Sequence, residues 1–136
     1  MSDKTILDRY VARGPSPDGT LEADAVDNLG AFGWLRGIRD SARMLELRKK
    51  DGSILAVGYG WLERVEFNPS EGITLSLVGR TIRIKGLNLN AEVRPCVRLF
   101  EGITRHRVPW VQEAGEPDRM ESEAGATIVD RIEWTS

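Results

Sequence analysis

Residues 44–86 read MLELRKKDGSILAVGYGWLERVEFNPSEGITLSLVGRTIRIKG. Met44 to Arg48 alternates in period two, the spacing of a strand with one face buried. Lys50-Asp51-Gly52-Ser53 is a hairpin turn, because Asp-Gly accepts the positive φ angles that such turns need. Ile54 to Val57 continues as a second strand, and Gly58-Tyr59-Gly60 suits a bend or bulge. Trp61 to Phe67 places Trp61, Glu63, Val65 and Phe67 on one face. Asn68-Pro69-Ser70-Glu71-Gly72 turns the chain again. Ile73 to Leu77 alternates apolar and hydroxyl residues, Gly79-Arg80 makes a two-residue turn, and Thr81 to Lys85 points Ile82 and Ile84 inward with Arg83 and Lys85 outward. Four or five strands within 43 residues leave no room for crossover helices. The expectation is a mainly β chain, a small, strongly bent antiparallel barrel or meander.

Outward from this core the pattern loosens. Residues 1–43 read as an N-terminal arm, irregular through Gly14-Pro15-Ser16-Pro17-Asp18-Gly19, with a short helix from Leu21 to Leu29 capped by Thr20 and stopped by Gly30. Phe32 and Trp34 sit among glycines, in a loop or a single helical turn that lays both rings on the core. The barrel core spans 44–112. Beyond Gly86 it includes a helical turn that buries Leu99, Phe100 and Ile103, and an extended run from Arg105 to Val111 in which Pro109 demands an edge or a bulge. Residues 113–136 form an acidic C-terminal segment, and Ala126 to Trp134 recovers strand character suited to pairing with an edge.

One domain is the natural capacity of 136 residues. The single cysteine, Cys96, excludes an internal disulfide and reads as a small core hydrophobe. The start MSDKTILDRY lacks the apolar stretch of a secretory signal, and no run is long enough to span a membrane. The expected location is the cytoplasm, with no membrane partner. Charge is unevenly spread. Residues 1–27 hold six acids against three bases and residues 113–136 seven against two, so at a net charge of −2 the middle of the chain carries +6.

No catalytic, cofactor-binding or metal-binding residues are assigned. His106, the only histidine, lies between Arg105 and Arg107 with no acidic partner nearby in sequence, and reads as a surface or lightly packed residue. Glu63 and Glu66 fall on opposite strand faces, a poor acid–base pair. No phosphate loop, nucleophile elbow or zinc-protease pattern occurs. The chain therefore reads as non-enzymatic. Two functions remain. The strand density and the apolar edge from Trp61 to Phe67 favour a module that forms a homo-oligomer or binds a protein partner. The cluster Arg83, Lys85, Arg94, Arg105 and Arg107, with Asn88 and Trp110, favours contact with single-stranded RNA or DNA. The acidic C-terminal segment is either a solvating end or an intramolecular screen for that basic face.

Thr81-Ile82-Arg83-Ile84-Lys85-Gly86-Leu87-Asn88-Leu89 resembles the second signature of the Sm-like proteins, where an apolar strand ends in a basic residue, a glycine and, one residue on, an asparagine. Met44 to Phe67 is broadly similar to the first signature. The resemblance covers residues 44–89. It implies a five-stranded bent barrel that assembles into rings by edge-strand pairing, with Lys85 and Asn88 on the positions that line the family's RNA pocket. The aspartate and Met-Asn that hold a base in that family have no counterpart here. Trp61-Leu62-Glu63-Arg64-Val65-Glu66 stands in their place.

Overall fold

The computed structural model describes residues 25–37, 39–115 and 125–135. In chain order the elements are β1 (Val26–Asn28), β2 (Gly33–Leu35), β3 (Met44–Arg48), β4 (Ile54–Gly58), β5 (Leu62–Asn68), β6 (Gly72–Leu77), β7 (Arg80–Leu87), β8 (Glu92–Arg94), β9 (Val97–Arg98), α1 (Leu99–Thr104), β10 (Trp110–Gln112) and β11 (Ile128–Thr135). A 3₁₀ turn over Tyr59–Trp61 joins β4 to β5. No helix among the described residues is long and apolar enough to cross a membrane.

The fold is mainly β, and its five central strands lie where alternation puts them. They divide between two sheets, however. One has the order β10-β3-β4, with β10 parallel to β3; the other is an antiparallel sheet of order β11-β7-β6-β5. Two small pairs, β1-β2 and β8-β9, complete the ladders. No ladder among the described residues connects β4 to β5, so the strands do not close into a hydrogen-bonded barrel. Both large sheets nevertheless share one core. Leu45 and Leu47 of β3, Ile73 and Leu75 of β6, Ile82 and Ile84 of β7, Leu99 and Ile103 of α1, Val111 of β10, and Val129 and Ile132 of β11 are buried together with Phe32 and Trp34.

Four local readings are corrected. Val26–Asn28 is a strand paired with Gly33–Leu35, so the helix expected to Leu29 does not extend over these residues; its start lies outside the described residues. Gly33 is required here, since a Cβ at 33 would stand 2.6 Å from the indole nitrogen of Trp110. Phe32 and Trp34 reach the core as expected, Trp34 from a strand rather than a loop or a helical turn. The two-residue turn between β6 and β7 is Val78-Gly79, because Leu77 pairs with Arg80. Finally, the β5–β6 register shifts between Leu62 and Arg64. The extra residue at Glu63 turns Leu62 onto the core with Val65 and Phe67, and leaves Trp61 outside.

The expected edge strand near the C-terminus is β11, and it pairs with β7 over Ile128–Thr135. The two backbones approach so closely that a Cβ on Gly86 would stand 1.9 Å from the carbonyl oxygen of Ile128. One side chain then ties the two large sheets together. Glu113, just after β10, accepts the N–H of Lys50 in the β3–β4 turn at 2.9 Å through Oε1, and the N–H of Ile132 at 2.7 Å through Oε2. Its own N–H donates to Arg48, and that of Ala114 to Val129. Replacing Glu113 with Ala leaves the part-buried Ile132 N–H without its acceptor and hands the exposed Lys50 N–H to water. We expect a loss of about 1–2 kcal/mol in urea unfolding followed by tryptophan fluorescence, with about half restored by Glu113→Gln, which keeps one acceptor oxygen.

Candidate functional site

The basic residues singled out in the sequence lie on two different surfaces. Arg83 and Lys85 project from the outer face of β7, where each meets a carboxylate: Arg83 with Glu71 at 3.4 Å, and Lys85 with Glu133 at 3.8 Å. Glu133 is held below the usual carboxylate range, first by the hydrogen bond from Arg131 and then by the nearby charges of Lys85, Arg131 and Arg83. Asn88, at a φ of 57°, is a fastener. Its Nδ2 donates to the carbonyl of Ala126 and its own carbonyl accepts the hydroxyl of Thr127, which leads the chain into β11. Trp110 is half-buried, packed against Gly33 and covered by the guanidinium of Arg48 at 4.8 Å from the ring centroid.

Arg94, Arg105 and Arg107 sit elsewhere, around a cleft of about 560 Å³ that Trp34, Arg39, Asp40, Ser41, Pro95, Cys96, Val97 and Glu101 also line. Arg107 is a clasp. It lies over Trp34, 5.5 Å from the ring centroid, and donates to the carbonyls of Leu35, Gly37 and Asp40, fixing these three residues to the end of α1. Arg94 pairs with Asp27 at 2.6 Å and Arg105 with Glu101 at 3.0 Å. Cys96 is exposed, at a φ of 66° that a non-glycine residue seldom adopts, with its N–H held at 2.8 Å by the Glu92 carboxylate. The expectation of a core cysteine is thus overturned: the positive φ in the tight β8–β9 connection turns the side chain out.

His106 occupies a structural position. The N–H groups of His106 and Arg107 donate to Ile103 and Gly102, closing α1 with the paired bonds usually made around a left-handed glycine. At a φ of 59° His106 takes that glycine's place, and its imidazole stacks on Tyr59 with centroids 4.4 Å apart. The Tyr59 hydroxyl donates to the Val108 carbonyl at 2.6 Å, and burial pushes its pKa up.

A different feature emerges at the edges of the sheets. β5 is an edge strand, as the apolar reading of Trp61 to Phe67 requires, but it carries Glu63, Arg64 and Glu66 and a bulge. β11 carries Asp130, Arg131 and Glu133 and a second bulge. β10 has only three residues, follows Pro109, and is covered on its free side by the bridge from Val111 to Phe32. β4 has none of these protections. Ile54-Leu55-Ala56-Val57-Gly58 holds no charge, no proline and no register shift, and no strand among the described residues pairs with its outer side. Ile54 is 59% exposed, Met44 on the neighbouring strand 47%, and Trp61 70%. A Cβ at Gly58 would stand 3.0 Å from the Trp61 ring and 3.8 Å from the Met44 sulfur, so Trp61 and Met44 gather at the Gly58 end of the strand, with Ile54 at the other. Sequence reading missed Ile54 as a surface group, since an uncharged five-residue run reads equally as a buried strand.

Compared with protein-family models, curated proteins and solved structures, the chain gives no match.

The Asp27 carboxylate sets the position of Arg94. Hydrogen bonds from Arg94 and then Arg36 hold its pKa below the ordinary 3.8. A depressed pKa means that this pairing stabilises the fold above the ordinary carboxylate range and is lost as pH falls through the folded-state value. Arg94→Gln is expected to move the Asp27 titration midpoint upward toward 3.8, as followed by carboxyl carbon NMR.

Proposed function

We propose that this protein is an interaction module that assembles with a second copy of itself through β4. The undefended edge of that strand carries the reading. Lys49 donates to Ser53 and Tyr59 to Arg43, which sets the ladder alternation on the β3 side. By that alternation Ile54, Ala56 and Gly58 direct their N–H and C=O groups away from β3. Antiparallel pairing about a two-fold axis would set Ala56 against Ala56 of the partner subunit, and Ile54 against Gly58 of the partner subunit. The bare glycine leaves the Trp61 indole free to receive Ile54 of the opposite copy. Ile and Met side chains gain about 1.5–3 kcal/mol each on full burial, so this half-exposed apolar set supplies affinity where the backbone supplies register. Self-complementarity follows from the short, uncharged strand, since no like charges meet across the axis.

The Sm-like resemblance, a proposal about kinship, agrees with this use of a sheet edge. The single-stranded nucleic-acid reading has less support. Arg83 and Lys85 meet carboxylates on one surface while Arg94, Arg105 and Arg107 surround a separate cleft, so a bound strand would find no continuous basic track.

Sedimentation velocity over a concentration series tests the assignment. The native chain is expected to form a reversible dimer, and Ala56→Lys, which buries like charges at the two-fold axis, to weaken it by about 100-fold or more. A native chain that stays monomeric at high micromolar concentration, or an Ala56→Lys dimer of undiminished affinity, would overturn it.

A further inference from the structure

The cleft beside Cys96 lies apart from the β4 edge and has its own chemistry. Its walls come from four separate segments: Trp34 of β2, Arg39 to Ser41 before β3, Arg94 to Val97 of the β8–β9 pair, and Glu101, Arg105 and Arg107 on and after α1. Arg94 and Arg105 each meet their carboxylate through one terminal nitrogen, Nη2. The remaining guanidinium N–H groups of both form no other hydrogen bond or ion pair among the described residues. Asp27 and Glu101 therefore hold these guanidiniums in place while leaving most of their donors unspent. Arg39 is exposed and pairs with no carboxylate among the described residues. Against four arginines the lining sets only Asp40 and Glu101.

The geometry points to this cleft as a binding site for a small phosphate monoester, held by Arg39, Arg94 and Arg105. Donors arriving from three segments match a tetrahedral oxyanion better than a planar carboxylate, which a single guanidinium fork already saturates. A volume of about 560 Å³ admits a phosphate together with a small organic body, and Ser41 and Asp40 offer polar contacts to that body. The strained Cys96 lies on the same wall, so an occupant would shield its sulfur.

Because Cys96 is the only cysteine, its alkylation by uncharged iodoacetamide, followed by intact mass, reports on the cleft alone. Glycerol 2-phosphate is the probe, with sodium chloride at matched ionic strength as the control. The expected result is saturable protection, with alkylation slowed about tenfold at ten times Kd. Arg39→Gln, which removes an exposed group with no carboxylate partner among the described residues and is expected to leave the fold intact, should raise the half-protection concentration about tenfold or more. Arg94→Gln should do the same in a chain whose urea midpoint shows it folded. No protection beyond chloride, or equal protection in the native chain and Arg39→Gln, would overturn the site. Protection by a single-stranded oligonucleotide at far lower phosphate concentration would overturn the small-molecule assignment. Sedimentation is read separately, so loss of this site and loss of β4 pairing are distinguishable.

Discussion

The Glu113 carboxylate is the joint on which the arrangement of the two large sheets depends. The sheets share a core, and apolar packing drives them together, but packing is non-directional and fixes no register between them. Direction comes from the two oxygens of Glu113, one on the β3–β4 turn at Lys50 and the other on β11 at Ile132. With the flanking bonds from Glu113 to Arg48 and from Ala114 to Val129, the segment after β10 clamps both sheets at neighbouring points. The C-terminal strand is thus structural in two senses, closing the β7 edge and receiving the clamp. An acidic composition near the end of the chain does not mark residues 128–135 as a detachable tail.

Once the sheets are set in this way, their edges become the surface that matters. An open sheet always exposes unpaired backbone groups, and here most are neutralised by familiar means: charge and a bulge on β5 and β11, brevity and cover on β10. These devices lower the affinity of an edge for any further strand. Their absence from β4 is therefore a difference between edges within one molecule, subject to the same solvent. The adjoining exposed indole of Trp61 strengthens the contrast, because a large aromatic left 70% exposed forgoes burial that the same side chain would gain in an interface.

Much of the central fold was legible in the residues. The strands from Met44 to Leu87, the turn at Asp51-Gly52, the helical turn at Leu99 and the late strand ending at Thr135 all announce themselves through period-two alternation, turn chemistry or apolar spacing. The losses have physical causes. Three-residue strands such as β1 and β2 are too short to show a period, and their pairing was hidden behind glycines that suggested loops. Glu63 reverses the alternation within β5, and a bulge leaves no composition signal. The parallel pairing of β10 with β3 joins residues more than sixty positions apart, which no local pattern encodes. Cys96 looked like a core residue because its neighbours Pro95 and Val97 are apolar, whereas a positive φ decided where its side chain went. For the site the position is harsher: Arg94, Arg105 and Arg107 were visible as a basic cluster, but their division of labour was not.

That division follows from how each guanidinium is used. Arg107 spends its donors on the backbone carbonyls of Leu35, Gly37 and Asp40, so its charge serves the fold. Arg94 and Arg105 give one nitrogen each to a carboxylate, an arrangement that neutralises charge at longer range yet restrains the side chain. An unrestrained arginine loses up to about 2 kcal/mol of rotamer freedom when it binds a ligand, whereas one already tethered has lost part of that freedom on folding. Counting bases along the sequence treats all three as equivalent. Counting donors left over after folding separates the residue that builds the cleft from the two that keep guanidinium N–H groups unspent at its wall.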